Sequence, residues 1–130
     1  MEEQKQATLD VLNGHNIQTV ALYMEKLTIN MLRDTAKDIL PIGGKVLLYG
    51  SRARGEAHEG SDWDLLVLVD KPALDADDYE KICYPLVVTG WKHGEDVSPQ
   101  LYTKKEWDMR SITPYHANVE KDKVVIYESK

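Results

Sequence analysis

Between residues 17 and 40, apolar side chains return at helical spacing: Leu22, Ile29, Leu32, Ala36 and Ile39. Glu25, Lys26, Arg33, Lys37 and Asp38 fall mostly elsewhere, so the period predicts an amphipathic helix with one face turned to a core. Pro41 and Gly43-Gly44 end it. The next apolar run, KVLLY at 45–49, predicts a short buried strand. Residues 51–60 are polar and contain small residues, with a short helix expected from about Ser51. The run WDLLVLV at 63–69 is apolar nearly throughout, the pattern of a strand covered on both faces, and Asp70-Lys71-Pro72 closes it.

The second half is less regular. Residues 75–91 predict a helix with Asp77 and Asp78 in its first turn. Pro85 removes a backbone donor inside it, so a kink or two shorter pieces are the alternatives to one continuous helix. His93-Gly94 marks a turn. Residues 95–103 predict a third strand, in which Val97, Pro99 and Leu101 alternate with Asp96, Ser98 and Gln100. Pro99 suits a sheet edge or a bulge. Residues 104–109 predict one or two helical turns, Thr113-Pro114 the start of a further short helix, and 124–127 a last short strand. Residues 1–15 carry little pattern and are expected to be loose, with a turn signal at Asn13-Gly14. The order predicts one α/β (α+β) domain over 1–130, a small mixed β-sheet backed by helices.

Composition narrows the class. With 130 residues, 42% hydrophobic and 29% charged, the chain is ordinary for a globular domain. No apolar run approaches the ~20 residues of a membrane span, and the polar N-terminus does not resemble a signal peptide. A single cysteine, Cys83, excludes an internal disulfide and suits a reducing cytoplasm. The net charge of −6 argues against non-specific nucleic-acid binding, which depends on neutralising phosphates with Lys and Arg.

The chemistry concentrates between 47 and 69, in LLYGSRARGEAHEGSDWDLLVLV. Asp62 and Asp64 are two apart at the start of a strand and therefore present their carboxylates on one side. Two adjacent anions repel, and a hard divalent cation such as Mg²⁺ removes the conflict. Two such ions would stabilise the attacking and leaving oxygens of a phosphoryl transfer. Gly50 lets the backbone approach a phosphate, and a helix beginning near Ser51 would point free N–H groups at it. The Ser51 hydroxyl, Arg52 and Arg54 add donors and positive charge. Other phosphate and metal motifs fit poorly. Gly55 is followed by Glu56-Ala57 rather than by the Lys-Ser/Thr of a P-loop, no G-x-G-x-x-G is present, and the strand continues where an EF-hand would need further ligands.

Gly50-Ser51, ten residues, then Asp62-x-Asp64 and Leu65-Leu66-Val67 resemble the signature of the minimal nucleotidyltransferases of the DNA polymerase β-like superfamily. Arg52-Ala53-Arg54-Gly55 and Ser61 match the usual filling of that spacer. The resemblance implies a palm-like fold and transfer of a nucleoside monophosphate, expected to be AMP, from an NTP such as ATP to a hydroxyl, with release of pyrophosphate. It implies two Mg²⁺ ions on Asp62 and Asp64, and phosphates held by Gly50 and Ser51, with Arg52, Arg54 and Ser61 in the nucleotide-binding segment. It also implies a third carboxylate from a neighbouring strand. Asp96 is the leading candidate and Glu95 the rival.

Relatives that modify nucleic acids or antibiotics usually carry additional domains for which this chain is short. The acceptor is therefore expected to be a protein, or to be held by a partner or a homodimer. Minimal nucleotidyltransferases often act beside a helical HEPN-type protein, in some cases as antitoxin and toxin. The alternative to an active enzyme is thus a weakly active or inactive binding module of that pairing. The remaining candidates are bland. His15, His58, His93 and His116 share no metal-ligand spacing, and Trp63 is expected to pack away from the two carboxylates. Trp91 and Trp107 are expected in the core or at its edge, Cys83 as a buried hydrophobe, and Tyr102 and Tyr115 could line a cleft.

Overall fold

The structure, a computed structural model, describes residues 17–130. The expected loose segment 1–15, with His15, lies outside the described residues. Helix α1 (Ile17–Ile39) leads into strand β1 (Lys45–Tyr49), the four-residue helix α2 (Ser51–Arg54) and strand β2 (Trp63–Val69). A π-helical turn, Tyr79–Cys83, runs into α3 (Tyr84–Lys92), followed by β3 (Val97–Thr103), α4 (Lys104–Met109), α5 (Pro114–Asp122) and β4 (Val124–Glu128). The strands form one mixed sheet in the order β3-β2-β1-β4. Strand β1 is antiparallel to β2 and β4, and β2 is parallel to β3.

Alternation along β2 sends side chains to two cores. Trp63, Leu65, Val67 and Val69 pack with Leu32 and Ala36 of α1 and Leu86 of α3. Leu66 and Leu68 pack on the other face with Leu47, Trp107 and Val119. Burying each such Leu or Val stabilises the fold by roughly 1.5–3 kcal/mol, which explains why β2 has no polar position after Asp64. Strand β3 lies at the sheet edge, where the missing N–H of Pro99 is tolerated. It ends at Thr103, whose hydroxyl accepts the Glu106 N–H at 3.0 Å while the Glu106 carboxylate accepts the Thr103 N–H at 2.9 Å. This reciprocal cap turns the chain into α4.

Three expectations change. Residues 75–91 are not one helix: a turn precedes the π-helical segment, and Pro85 sits in the first turn of α3. The wider turn before Pro85 accommodates its missing donor. Glu95 and Asp96 precede β3 rather than belonging to it. Leu22 and Trp91 are more than half exposed. Burial on α1 begins at Thr28, so only its C-terminal part covers the sheet. Trp91 lies two turns beyond Tyr84 on the outer face of α3, and the rings meet edge-on at 6.2 Å. Among the described residues no helix is long and apolar enough to cross a membrane.

Candidate active site

The register of β1 against β2 sets Tyr49 opposite Asp64, so the residue after Tyr49 must pass directly over that carboxylate. It is Gly50, with φ +76° and ψ −159°, a conformation open essentially to glycine alone. A Cβ here would lie 2.5 Å from Asp64 Oδ2. The Gly-Ser turn and the second carboxylate of the Asp-Trp-Asp sequence are thus built against each other. Helix α2 starts at Ser51 with no side-chain cap, and the N–H groups of Ala53 and Arg54 both return to Gly50 O. The N–H groups of Ser51 and Arg52 lie ahead of these bonds.

Asp62 is exposed and Asp64 half-buried, and alternation puts both on the face of Leu66 and Leu68, while Trp63 is buried on the other. Burial pushes the Asp64 carboxyl above the ordinary range, the Asp62 charge raises it further, and Arg54 opposes the shift. Among the described residues neither Asp62 nor Asp64 has an ion-pair partner. Two adjacent carboxylate groups without a bonded cation are a donor set that fits a hard divalent ion.

The ten-residue spacer has a structural role of its own. Arg52 donates from Nε and Nη2 to Ser61 O at 3.3 and 3.0 Å, and from Nη1 to Glu25 at 3.2 Å. Its Nη2 lies 3.5 Å from Glu95 Oε2, and the guanidinium sits 4.7 Å over the Trp63 ring. The Arg52 side chain is 8% exposed. This arginine clamps the spacer to α1 on the Trp63 face, and its donors are committed to protein. Arg54 is on the carboxylate side, where it pairs with Asp122 at 2.7 Å and Glu56 at 3.0 Å. Ser61 closes the loop: its hydroxyl accepts the His58 N–H at 3.0 Å and its own N–H bonds His58 O.

The candidate third acids diverge. The Glu95 carboxylate accepts the Trp63 indole N–H at 3.1 Å and neighbours Arg52, which fixes it to the Trp63 face. Asp96 has the parity of Asp62 and Asp64: its carbonyl accepts the Trp63 N–H at 2.8 Å, and it lies one residue before the Trp63–Val97 pair. Asp96 is exposed. Among the described residues, the acidic trio whose ligand atoms converge within 4.8 Å is Asp75, Asp77 and Asp78, not Asp62, Asp64 and Asp96. Lys71 and Lys81 already neutralise the converging trio. Within β3 the positions facing the carboxylate side are Ser98, Gln100 and Tyr102.

A family model, the nucleotidyltransferase domain, matches residues 29–130. The chain belongs to this family. Among curated proteins, the chain is 31% identical over 84 residues to the Methanocaldococcus jannaschii protein named "Putative protein adenylyltransferase MJ1305", covering 64% of this chain and 57% of that one. It thus spans little more than half of that relative's length. Its fold is shared with a solved structure described as "a putative nucleotidyltransferase from Sulfolobus solfataricus" (TM-score 0.58, 19% identity, 88% of this chain and 91% of that one). It is shared also with a toxin–antitoxin structure containing AMP-PNP (TM-score 0.54, 20% identity, 78% and 74% covered).

Residues from the C-terminal third complete the carboxylate face of this nucleotidyltransferase-family domain. The Tyr49 and Tyr115 hydroxyls lie 3.0 Å apart, with their rings edge-on at 5.9 Å. Tyr115 packs edge-on against Trp107, which tilts against Tyr102, each at 5.7 Å. Burial raises both Tyr49 and Tyr115, and the Asp64 charge adds to each shift, so both hydroxyls stay protonated as donors. Arg110 lies 4.7 Å over the Tyr102 ring. No local motif marks Tyr49 or Arg110, because the sheet and the α4–α5 turn bring them in from 15 and 46 residues away from Asp64.

Proposed function

We propose that the protein is a Mg²⁺-dependent nucleotidyltransferase that transfers AMP from ATP to a hydroxyl on a partner protein. The observation that carries this reading is the approach of Gly50 to Asp64, which sets the Gly-Ser turn against a carboxylate pair that has no ion-pair partner among the described residues. In the proposed site, Asp62 and Asp64 hold the metal, with Asp96 as the third carboxylate. Bound there, Mg²⁺ would neutralise charge on the triphosphate and polarise its phosphorus centres. Gly50 and Ser51 offer backbone N–H groups and a hydroxyl to the phosphates. The acceptor oxygen bonds to the α-phosphorus, the bond from that phosphorus to the α–β bridging oxygen breaks, and pyrophosphate leaves. The hydroxyl proton passes to a carboxylate, for which Asp96 is proposed. A related protein named as an adenylyltransferase and a fold neighbour with AMP-PNP support adenine as the base. The proposed setting is the cytoplasm.

One feature favours a second reading, a weakly active or inactive module that binds and blocks a HEPN-type helical partner. Strand β3 offers Ser98, Gln100 and Tyr102 to the site and no carboxylate, and Asp96 is exposed at its approach. The toxin–antitoxin neighbour is consistent with either reading. Incubation with ATP labelled at the α-phosphate, Mg²⁺ and the product of the neighbouring gene separates them. Label on that product, lost in the Asp62→Asn/Asp64→Asn variant, supports transfer; a tight complex without label supports the binding module. MgATP should raise the Tm of the wild type but not of the double variant. Equal shifts in both would remove the metal assignment.

A further inference from the structure

The spacer arginines were expected to neutralise phosphate, but the fold has engaged both. Arg52 is buried against Glu25, Ser61 O and Glu95, and Arg54 is paired with Asp122 and Glu56. Of the chain's four arginines, Arg33 donates to Ile126 O at 2.9 Å and Asn30 at 2.8 Å. The fourth, Arg110, is exposed and has no carboxylate or hydrogen-bond partner for its guanidinium among the described residues. Its Cζ lies 4.7 Å over the ring of Tyr102, which belongs to the aromatic group that continues through Trp107 and Tyr115 to Tyr49 beside Asp64. Tyr115 feels the charges of both Asp64 and Arg110. An arginine stacked on an aromatic ring keeps its in-plane N–H groups free for an oxyanion. In a pair of hydroxyls, one donates to the other and one proton remains to be donated outward.

We propose that Arg110 and the Tyr49–Tyr115 hydroxyl pair bind a phosphate oxygen of the nucleotide, adding from the C-terminal third a positive charge that no carboxylate among the described residues already holds. The proposal rests on the nucleotidyltransferase reading above. It assigns Arg110 a role in binding the triphosphate, with Tyr102 as the residue that orients it.

The test is MgATP affinity, by calorimetry, of the wild type, Arg110→Gln, Arg110→Lys, Tyr115→Phe and the control Lys105→Gln, an exposed charge on α4, the helix that Arg110 follows. Arg110→Gln should weaken MgATP binding roughly tenfold or more, the loss of one charge-assisted contact. Arg110→Lys should recover part of it, Tyr115→Phe should lose a smaller factor, and Lys105→Gln should bind as wild type. The Tm of the free Arg110→Gln protein should match the wild type, because the side chain is exposed. Wild-type affinity in Arg110→Gln, while Asp62→Asn/Asp64→Asn abolishes binding, would overturn this assignment and leave the nucleotidyltransferase reading standing. Unchanged MgATP affinity with reduced labelling of the acceptor would move Arg110 to the acceptor and likewise overturn it. A wild type that binds no MgATP would remove both.

Discussion

Substituting Gly50 by alanine tests the close approach on which the site depends. Two costs apply. The first is conformational: at φ +76° and ψ −159°, a side-chain-bearing residue is strained by about 1–3 kcal/mol. The second is a collision, because the new Cβ would stand 2.5 Å from Asp64 Oδ2 and one of the two must move. Gly55 provides the control. It also has positive φ, +73°, but nothing lies within 4 Å of its would-be Cβ, so Gly55→Ala carries only a left-handed penalty of about 1–2 kcal/mol. At roughly 4 °C per kcal/mol for a chain of this size, Gly55→Ala should lower Tm by about 4–8 °C, and Gly50→Ala by at least as much plus the collision. Scanning calorimetry of the free proteins gives the first comparison. The second is the Tm increase caused by MgATP, which should persist in Gly55→Ala and fall sharply in Gly50→Ala, because only the latter displaces Asp64. If the two variants lose equal stability and keep equal MgATP responses, the contact between the turn and the carboxylate does not organise the site.

Arg52→Lys and Arg52→Ala should both destabilise the fold by about 2–4 kcal/mol in urea titrations, since a lysine cannot reach three divergent acceptors with one ammonium group. An unchanged midpoint in either variant would contradict the clamp. Asp64 has a carboxyl raised by burial and by Asp62, so the folded state binds its proton more tightly than the unfolded chain. Its stabilising contribution is present below the ordinary carboxyl range near ~4 and is lost as pH rises through the raised value. Asp64→Asn should therefore flatten this loss and make the free protein more stable than wild type at neutral pH, while abolishing the MgATP response; a less stable variant at pH 7 would contradict the assignment. Burial pushes the Cys83 thiol up to about 12, so a thiol reagent should label it slowly in the native protein and rapidly in denaturant. Equal rates would show that the side chain is accessible.

Much of this molecule is legible along the chain because its signals are local. The strand 63–69 declares itself by an apolar run, the helix 17–39 by its period, and the tight turn ahead of the two carboxylates by Gly50-Ser51. Alternation alone orients Trp63 away from the carboxylates, and the buried indole agrees. The break near Pro85 is also written in the chain, though the π-helical turn that absorbs it is not.

Charge partnership is not local, and only the tertiary structure decided it. Arg52 and Arg54 are two residues apart and look equivalent, yet one lies under α1 against Glu25 and the other on the opposite side beside Asp122 of α5. Glu95 and Asp96 are adjacent, but successive side chains point to opposite sides, which binds Glu95 to the Trp63 face and gives Asp96 the parity of the carboxylate pair. Arg110 carries no motif at all and reaches the carboxylate face because the capped turn at Thr103 folds α4 back over the sheet. The sequence by itself determined the residues of the proposed grip on phosphate and metal, since they are neighbours in the chain. Which other charges face that grip was decided by the order of the strands and the crossing of the helices, because a side chain's partner is set by packing in three dimensions.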